Sequence, residues 1–309
     1  MTRPAPPAAQ EYATGFLRTT VHPHGSGYEW IRRPGDDRPV PLSAPDEPVR
    51  AALSALRPAG LRLALPKADG DALRYRVPGL VPVAKLCVGR DPRLPPGPVA
   101  GALSATGAAL HLLHTAVPAS LAVSGPPGPA RLASWMREGT GPRAAPAFHT
   151  LVRRQLGSAR WDLVLEWCHS LATGLSGGVF LHGAPSLGSI VIGDAPADGC
   201  LMAGEDVARG PADFDLGWLL GEFVEWRMTL SRRTPGLDLD PHDFHSALGA
   251  LADGYGAPAD PVSAGHGAVL RVFTHAHDFA AYMGWHPELL EYTVKIAELI
   301  DDEGAQALI

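Results

Sequence analysis

Hydrophobic and polar positions follow two regimes along the chain. From Tyr12 to about residue 88 the apolar residues come in short runs broken by turn chemistry; after residue 99 they recur at helical spacing over long stretches. In the first regime Phe16–Val21, Tyr28–Arg33 and Val40–Leu42 read as extended segments. They are separated by HGSG at His24–Gly27 and PGDD at Pro34–Asp37. Asp46–Leu56 (DEPVRAALSAL) switches to helical spacing behind an Asp/Pro start. Leu61–Leu65, Leu73–Val77 and Val81–Val88 return to strand character. A small sheet with one helix is expected.

The Pro-rich stretch Asp91–Pro98 (DPRLPPGP) reads as a hinge. Beyond it, the spacing predicts helices over Val99–Thr115, Ala145–Thr173 (one or two), Asp213–Leu230, Asp243–Tyr255, Ala268–Met283 and Pro287–Ile300. A short strand at Gly178–His182 and a hairpin of Ile190–Ile192 with Cys200–Ala203, across GDAPADG, interrupt them. The Pro/Ala-rich residues 1–10 carry no apolar period and are expected to be disordered. The expectation is an α+β protein with a small β-rich lobe over 11–90 and a large, mainly helical lobe over 91–309. No internal repeat is visible.

Composition narrows the function classes. With 309 residues, 46% hydrophobic and 19% charged, the chain suits one large or two modest globular domains. No apolar run reaches a membrane span and the N-terminus lacks a signal pattern, so neither membrane insertion nor secretion is expected. The net charge of −6, with scattered basic residues, argues against a nucleic-acid partner. Cys87, Cys168 and Cys200 form no C-x-x-C pair, so a disulfide framework or cysteine zinc site is not expected and a cytoplasmic setting is.

Several motifs have ordinary readings. GLSGG at Gly174–Gly178 matches the G-x-S-x-G of serine hydrolases, but a helix precedes it and a strand follows, the reverse of a nucleophile elbow. No Walker-type phosphate loop exists, and HGSG is too short a signal for one. His242 and His245, then His275, His277 and Asp278, do not converge by spacing on a metal and read as helix-surface or core residues. Asp36/Asp37 and Asp301/Asp302 read as solvated turn and helix-end charges. Trp218, Phe223 and Trp226 form a core stripe at helical spacing, with a protein-binding face as the lesser reading.

Two segments carry the chemistry: His182–Ile192 (HGAPSLGSIVI) and Cys200–Leu216 (CLMAGEDVARGPADFDL). Together they resemble the catalytic loop and metal-binding segment of the aminoglycoside phosphotransferase family, a branch of the protein-kinase-like fold. His182 and Gly183 match the loop opening, and Gly188 with Ile190–Ile192 matches the strand that follows. Glu205, Arg209, Gly210, Asp215 and Leu216 match the second segment in register, and Leu113-His114 resembles the family's Leu-His helix. The resemblance implies a two-lobed kinase-like fold with a reduced N-lobe, in which Asp215 hydrogen-bonds backbone around the loop and His182 braces it.

The same register puts Ala184 at the catalytic Asp, Ser189 at the metal-binding Asn and Ala203 at the metal-binding Asp. Sliding the segment to make Glu205 or Asp206 the metal ligand breaks the match of Gly210 and Asp215. The phosphate-binding lysine of the third strand has its expected counterpart in Arg38–Leu42 (RPVPL), which has none; Lys85 in VAKL falls after the small-lobe helix, on the wrong strand. Phosphoryl transfer needs an orienting carboxylate and hard oxygen ligands for Mg²⁺. Without them the resemblance implies a pseudokinase, a binding or scaffold subunit with no cofactor.

The family's role in actinobacteria, together with the GC-rich flavour of 35 Gly and 31 Pro, extends this to natural-product biosynthesis. There the partners would be a lyase and a ribosomal precursor peptide undergoing Ser/Thr dehydration. Two alternatives stay open. One is an active phosphotransferase using ATP/Mg²⁺ with displaced acids Glu205, Asp206 or Asp213; the other is a nucleotide-binding sensor.

Overall fold

The computed structural model describes residues 10–89, 96–174, 176–193, 198–233, 241–257 and 259–308. The first strands are β1 (Gln10–Ala13), β2 (Leu17–His24) and β3 (Gly27–Pro34), an antiparallel meander in which Gly25, at φ +60°, makes the β2–β3 turn. The lead-in expected over 1–10 lies outside the described residues except for Gln10, which opens β1. Val40–Leu42, expected as a strand, is irregular. Pro39 and Pro41 there lack the N–H groups a ladder requires.

Helix α1 (Glu47–Ala55) starts where the sequence places it. The Asp46 carboxylate accepts from Val49 N at 3.0 Å, and Pro48 occupies a first-turn position whose N–H is not needed. Three strands follow: β4 (Arg62–Ala64), β5 (Lys67–Asp69) and β6 (Ala72–Val77). β6 pairs with β3, setting Trp30 opposite Tyr75, and β5 closes the five-stranded sheet in the order β1-β2-β3-β6-β5. Val81–Val88, expected as a strand, is instead α2 (Val83–Gly89). Val83 and Cys87, four apart, are buried and Lys85 is exposed, so a short apolar run resolved as a helix behind Pro82.

The rest is mainly helical: α3 (Pro96–Ala116), α4 (Pro127–Glu138), which the sequence reading missed, and α5 (Ala145–Thr173), kinked at Gly157. Residues 91–95 of the expected hinge lie outside the described residues, and its last three, Pro96–Pro98, open α3 instead. Strands β7 (Val179–Leu181), β8 (Ile190–Ile192), β9 (Gly199–Met202) and β10 (Ala208–Gly210) come next, then α6 (Asp213–Arg233), α7 (Pro241–Tyr255), α8 (Pro261–Tyr282) and α9 (Glu288–Asp301). α8 begins seven residues before the expected Ala268, behind the cap Asp260. Its first turns cross α6 closely: a Cβ at Gly217 would lie 2.1 Å from the Ala264 carbonyl oxygen.

Small and large lobes are not merely hinged. β4, from the small lobe, is not part of the five-stranded sheet but pairs in parallel with β9, giving the order β4-β9-β8. Trp30, Tyr75 and Val77 of the sheet pack with Val191, Cys200 and Met202 of the β8–β9 hairpin in one buried cluster. Trp30 is 3% exposed and its Nε1 donates to the Gly79 carbonyl at 3.3 Å. Gly79 itself sits so close to the hairpin that a Cβ there would fall 1.9 Å from the Ile192 oxygen. Truncating Trp30→Ala should therefore cost about 3–5 kcal/mol in urea denaturation. A loss below about 1 kcal/mol would mean this cluster does not join the lobes.

Candidate functional site

Asp215, in the first turn of α6, has no solvent exposure. Its Oδ2 accepts from His182 N at 2.7 Å and its Oδ1 from Gly183 N at 3.0 Å, while His114 Nε2 lies 3.0 Å from Oδ2. His114 Nδ1 in turn meets the Tyr255 hydroxyl at 2.9 Å. One carboxylate thus ties the loop after β7 to α3, α6 and α7. The loop can lie this close only because residue 183 is glycine: its φ is +88°, and a Cβ would fall 1.8 Å from the Asp206 carbonyl oxygen. His182 is buried and its Nε2 sits 2.9 Å from the Met202 carbonyl, so it braces the loop against β9.

The loop beyond Gly183 is closed on itself. Ser189 N donates to Ser186 Oγ at 3.0 Å, Ser186 N to Ser189 Oγ at 3.1 Å, and Ser189 Oγ to Ser186 O at 2.7 Å. Gly188 lies inside this turn. Leu187 N donates to Glu222 Oε2 at 2.5 Å, and the other oxygen of Glu222 takes Arg271 Nη2 at 2.7 Å. Ala184 offers a methyl group, Ser189 a hydroxyl already committed, and Ala203 a methyl 3% exposed. Ala203 N donates to Ala64 O, extending the β4–β9 pairing. Arg209 and Gly210 lie on β10 beside β7, with Arg209 N bonded to Ser124 O.

The acids nearest these positions form a network. Glu205 accepts from Arg32 Nη1 at 2.8 Å and from the Tyr75 hydroxyl at 3.2 Å, and Arg38 Nη2 is 3.8 Å from its other oxygen. Side-chain exposure is 16% for Arg32, 9% for Arg38 and 8% for Glu205, so the three charges answer each other with little help from water. Burial opposes the Arg32 charge, but Glu205 and Tyr75 outweigh it and hold its pKa above the ordinary value. Burial, then Glu205, raises that of Tyr75. Asp206 is also raised, by burial and then by Glu205, against the pull of Arg38, Arg131 and His182. Asp213 is not part of this network; its carboxylate accepts from Asp260 N at 3.1 Å at the start of α8.

Arg38–Leu42 is not a strand; the third strand of the small lobe in chain order is β3, and its cation facing Glu205 is Arg32. The signal lay in the period-2 pattern of Tyr28–Arg33, which puts Trp30 and Arg32 on one face. Lys85 is on a helix rather than any strand, exposed, 5.8 Å over the Tyr12 ring. The network continues to the β1–β2 turn, where Phe16 lies between the guanidiniums of Arg38 (4.1 Å) and Arg131 (4.7 Å) and against Tyr282 (4.9 Å). Gly15 N bonds Tyr282 O, Arg131 pairs with both oxygens of Asp278, and Asp37 reaches Arg143 at 3.0 Å. Asp37 is therefore a contact between lobes rather than a solvated turn charge.

These residues do not fit a magnesium-bound nucleotide. Hard cations take unpaired carboxylate or amide oxygens. On the register read from the sequence, the positions expected to supply them carry Ala184, Ser189 and Ala203, and Glu205 is already paired. Among the described residues no group of three or more His, Cys, Asp and Glu could hold a metal ion. His277 Nδ1 bonds Asp278 and His275 faces Glu225, while the His242 side chain lies outside the described residues. GLSGG follows α5 and precedes β7, with Leu175 outside the described residues. The three thiols are buried, and burial pushes each up to about 12, far from a reactive thiolate. Trp218 and Phe223 are core, and Trp226 Nε1 donates to Cys87 O at 2.8 Å.

No protein-family model matches the chain, and no curated protein is significantly similar to it in sequence. Solved structures align at 14% identity. They include an AMP-bound spectinomycin phosphotransferase, APH(9)-Ia (96% of this chain and 93% of that one, TM-score 0.47), and an aminoglycoside phosphotransferase from Alicyclobacillus acidocaldarius (96% and 91%, TM-score 0.44). A type I macrolide 2′-phosphotransferase aligns over 97% and 91%, with a TM-score of 0.44. No helix among the described residues is long and apolar enough to cross a membrane.

Two substitutions test the site. Asp215→Ala leaves two buried N–H groups and His114 Nε2 without a partner and should cost about 3–5 kcal/mol in urea denaturation; a change under about 1 kcal/mol would show these contacts to be idle. Because the Asp206 pKa is raised by folding, the stability it contributes is full below its unfolded value, near 4, and is lost as pH rises through the folded value. Asp206→Asn mimics the neutral form, so its Tm should exceed the parent's at pH 8 and match it near pH 4. The opposite trend would mean that Arg38 and Arg131 answer the carboxylate in full.

Proposed function

We infer that the chain is a phosphotransferase-like protein that transfers no phosphate and works by binding. One observation carries this reading: Glu205, the carboxylate nearest in sequence to the empty metal position Ala203, is held by Arg32 and Arg38 and by the Tyr75 hydroxyl. An acid held in this way is committed to its arginine and tyrosine partners rather than offered to Mg²⁺. Supporting it, Trp30, Tyr75 and Met202 pack together between sheet and hairpin, and Arg38, which faces Glu205, also lies over the Phe16 ring. Each ~1.36 kcal/mol of lost transition-state stabilisation is tenfold in rate, so losing base and metal ligands together ends turnover rather than slowing it. The partner in this reading is a protein or peptide of a natural-product assembly, such as a lyase or a ribosomal precursor peptide.

A second reading, an active transferase using Asp206 as base, draws on that residue's raised pKa beside Arg38, Arg131 and His182. Calorimetric titration with ATP, with and without Mg²⁺, separates the two. No heat, and a Tm unmoved by saturating nucleotide, is expected. Binding tighter than about 1 mM, dependent on Mg²⁺, would overturn the binding-subunit reading in favour of a transferase or a nucleotide sensor. Ala184→Asp should also remain inactive toward ATP, since the metal ligands are still missing. Robust phosphoryl transfer by that single variant would show the register of the loop to be wrong.

A further inference from the structure

Away from the junction of sheet and hairpin, two adjoining cavities of about 430 and 400 Å³ lie on the small lobe, one beside β5 and β6 and the other between α1 and β4, sharing Arg62 and Leu65. Their cations outnumber their acids. Arg50, Arg57, Arg62, Lys67 and Arg76 line them without an ion pair among the described residues, while Glu29 and Asp69 are both engaged by Arg74. Three of the guanidiniums are held by backbone carbonyls: Arg50 by Pro66 O (2.6 Å), Arg57 by Ser54 O (2.6 Å) and Leu56 O (2.7 Å), and Arg62 by Arg76 O (2.8 Å). A carbonyl fixes a guanidinium in place without neutralising it, so these charges are oriented in advance of any partner. The floor is apolar, with Leu56, Leu63 and Leu65 partly buried against the core and partly open.

We propose that this face docks an acidic, leucine-bearing peptide segment, its carboxylates on Arg57, Arg62 and Lys67 and its apolar side chains on the Leu56–Leu63–Leu65 floor. Charge complementarity selects the occupant: the chain as a whole carries −6, and here an unpaired positive cluster surrounds an apolar surface. Nucleic acid is the weaker fit, because no aromatic side chain lines either cavity to stack on a base. The proposal is independent of the state of that junction, since an active transferase would present the same face.

Fluorescence anisotropy tests it, using a labelled peptide of about twelve residues made of Glu, Leu and Ser, at low salt. Binding at about 10 µM or tighter, weakening with salt, is expected. The variant Arg57→Gln/Arg62→Gln/Lys67→Gln changes exposed side chains only and should bind at least about tenfold more weakly with an unchanged circular-dichroism melt. A peptide with every Leu replaced by Ser should also bind the parent protein more weakly, an arm that holds even if the triple variant misfolds. Absence of binding, equal affinity for the Leu-free peptide or for the triple variant, or tighter binding of an oligothymidylate each overturns the proposal; the last would identify a nucleic-acid surface instead.

Discussion

A carboxylate with no access to water must have its charge answered by the protein, and Asp215 meets that requirement with groups from several elements at once. Two loop N–H groups and His114 converge on it, so the loop after β7 cannot move without exposing α3 and α6 to an unpaired charge. The glycine at 183 follows from the same constraint, because the loop must pass within contact of the Asp206 carbonyl to reach the acid. His182 then faces β9, and β9 receives β4 from the small lobe. The packing between lobes rests on this chain of contacts.

The junction of sheet and hairpin has two kinds of filling, and they act differently. Trp30, Tyr75 and Met202 exclude water, which stabilises through buried apolar area and favours any arrangement that keeps the lobes together. Arg32, Arg38 and Glu205 contribute little net stability, since desolvating the charges costs nearly what their attraction returns. Their effect is on geometry: separating the lobes would leave an uncompensated charge on each side. Apolar packing holds the lobes together, and the ion pairs fix their register.

Much of this was legible in the chain where the signals are local. Asp46 and Pro48 announce α1, and the alternation of Tyr28–Arg33 announces β3. Val81–Val88 misled because a short apolar run has no decisive period; the buried pair Val83 and Cys87 settles it as helix only once α2 has something to pack against. Helix α4 was missed because the stretch between Thr115 and Ala145 was assigned no element, although proline is well placed in a first turn and Gly128 is needed beneath the Trp218 ring. Motif register could speak to Ala184, Ser189 and Ala203 because it is local, but no local signal foretells the pairing of Glu205 with Arg32, 173 residues earlier in the chain. Nor does any periodicity set Phe16 between Arg38 and Arg131, because a contact between distant loops has no sequence period.

The Glu205 pair bears on function through what a phosphotransferase has to do repeatedly. Loading nucleotide and releasing product require the lobes to part and close in each cycle, and closing loops are drawn from the less stable parts of a fold. Here the β1–β2 turn is bonded through Gly15 to Tyr282 and packed through Phe16 against two arginines. Opening it would expose an aromatic ring and separate Arg38 from both Phe16 and Glu205. On the reading proposed above, such an arrangement serves recognition rather than turnover. The cationic face over α1 and β4 is built on elements that the β4–β9 pairing already holds still.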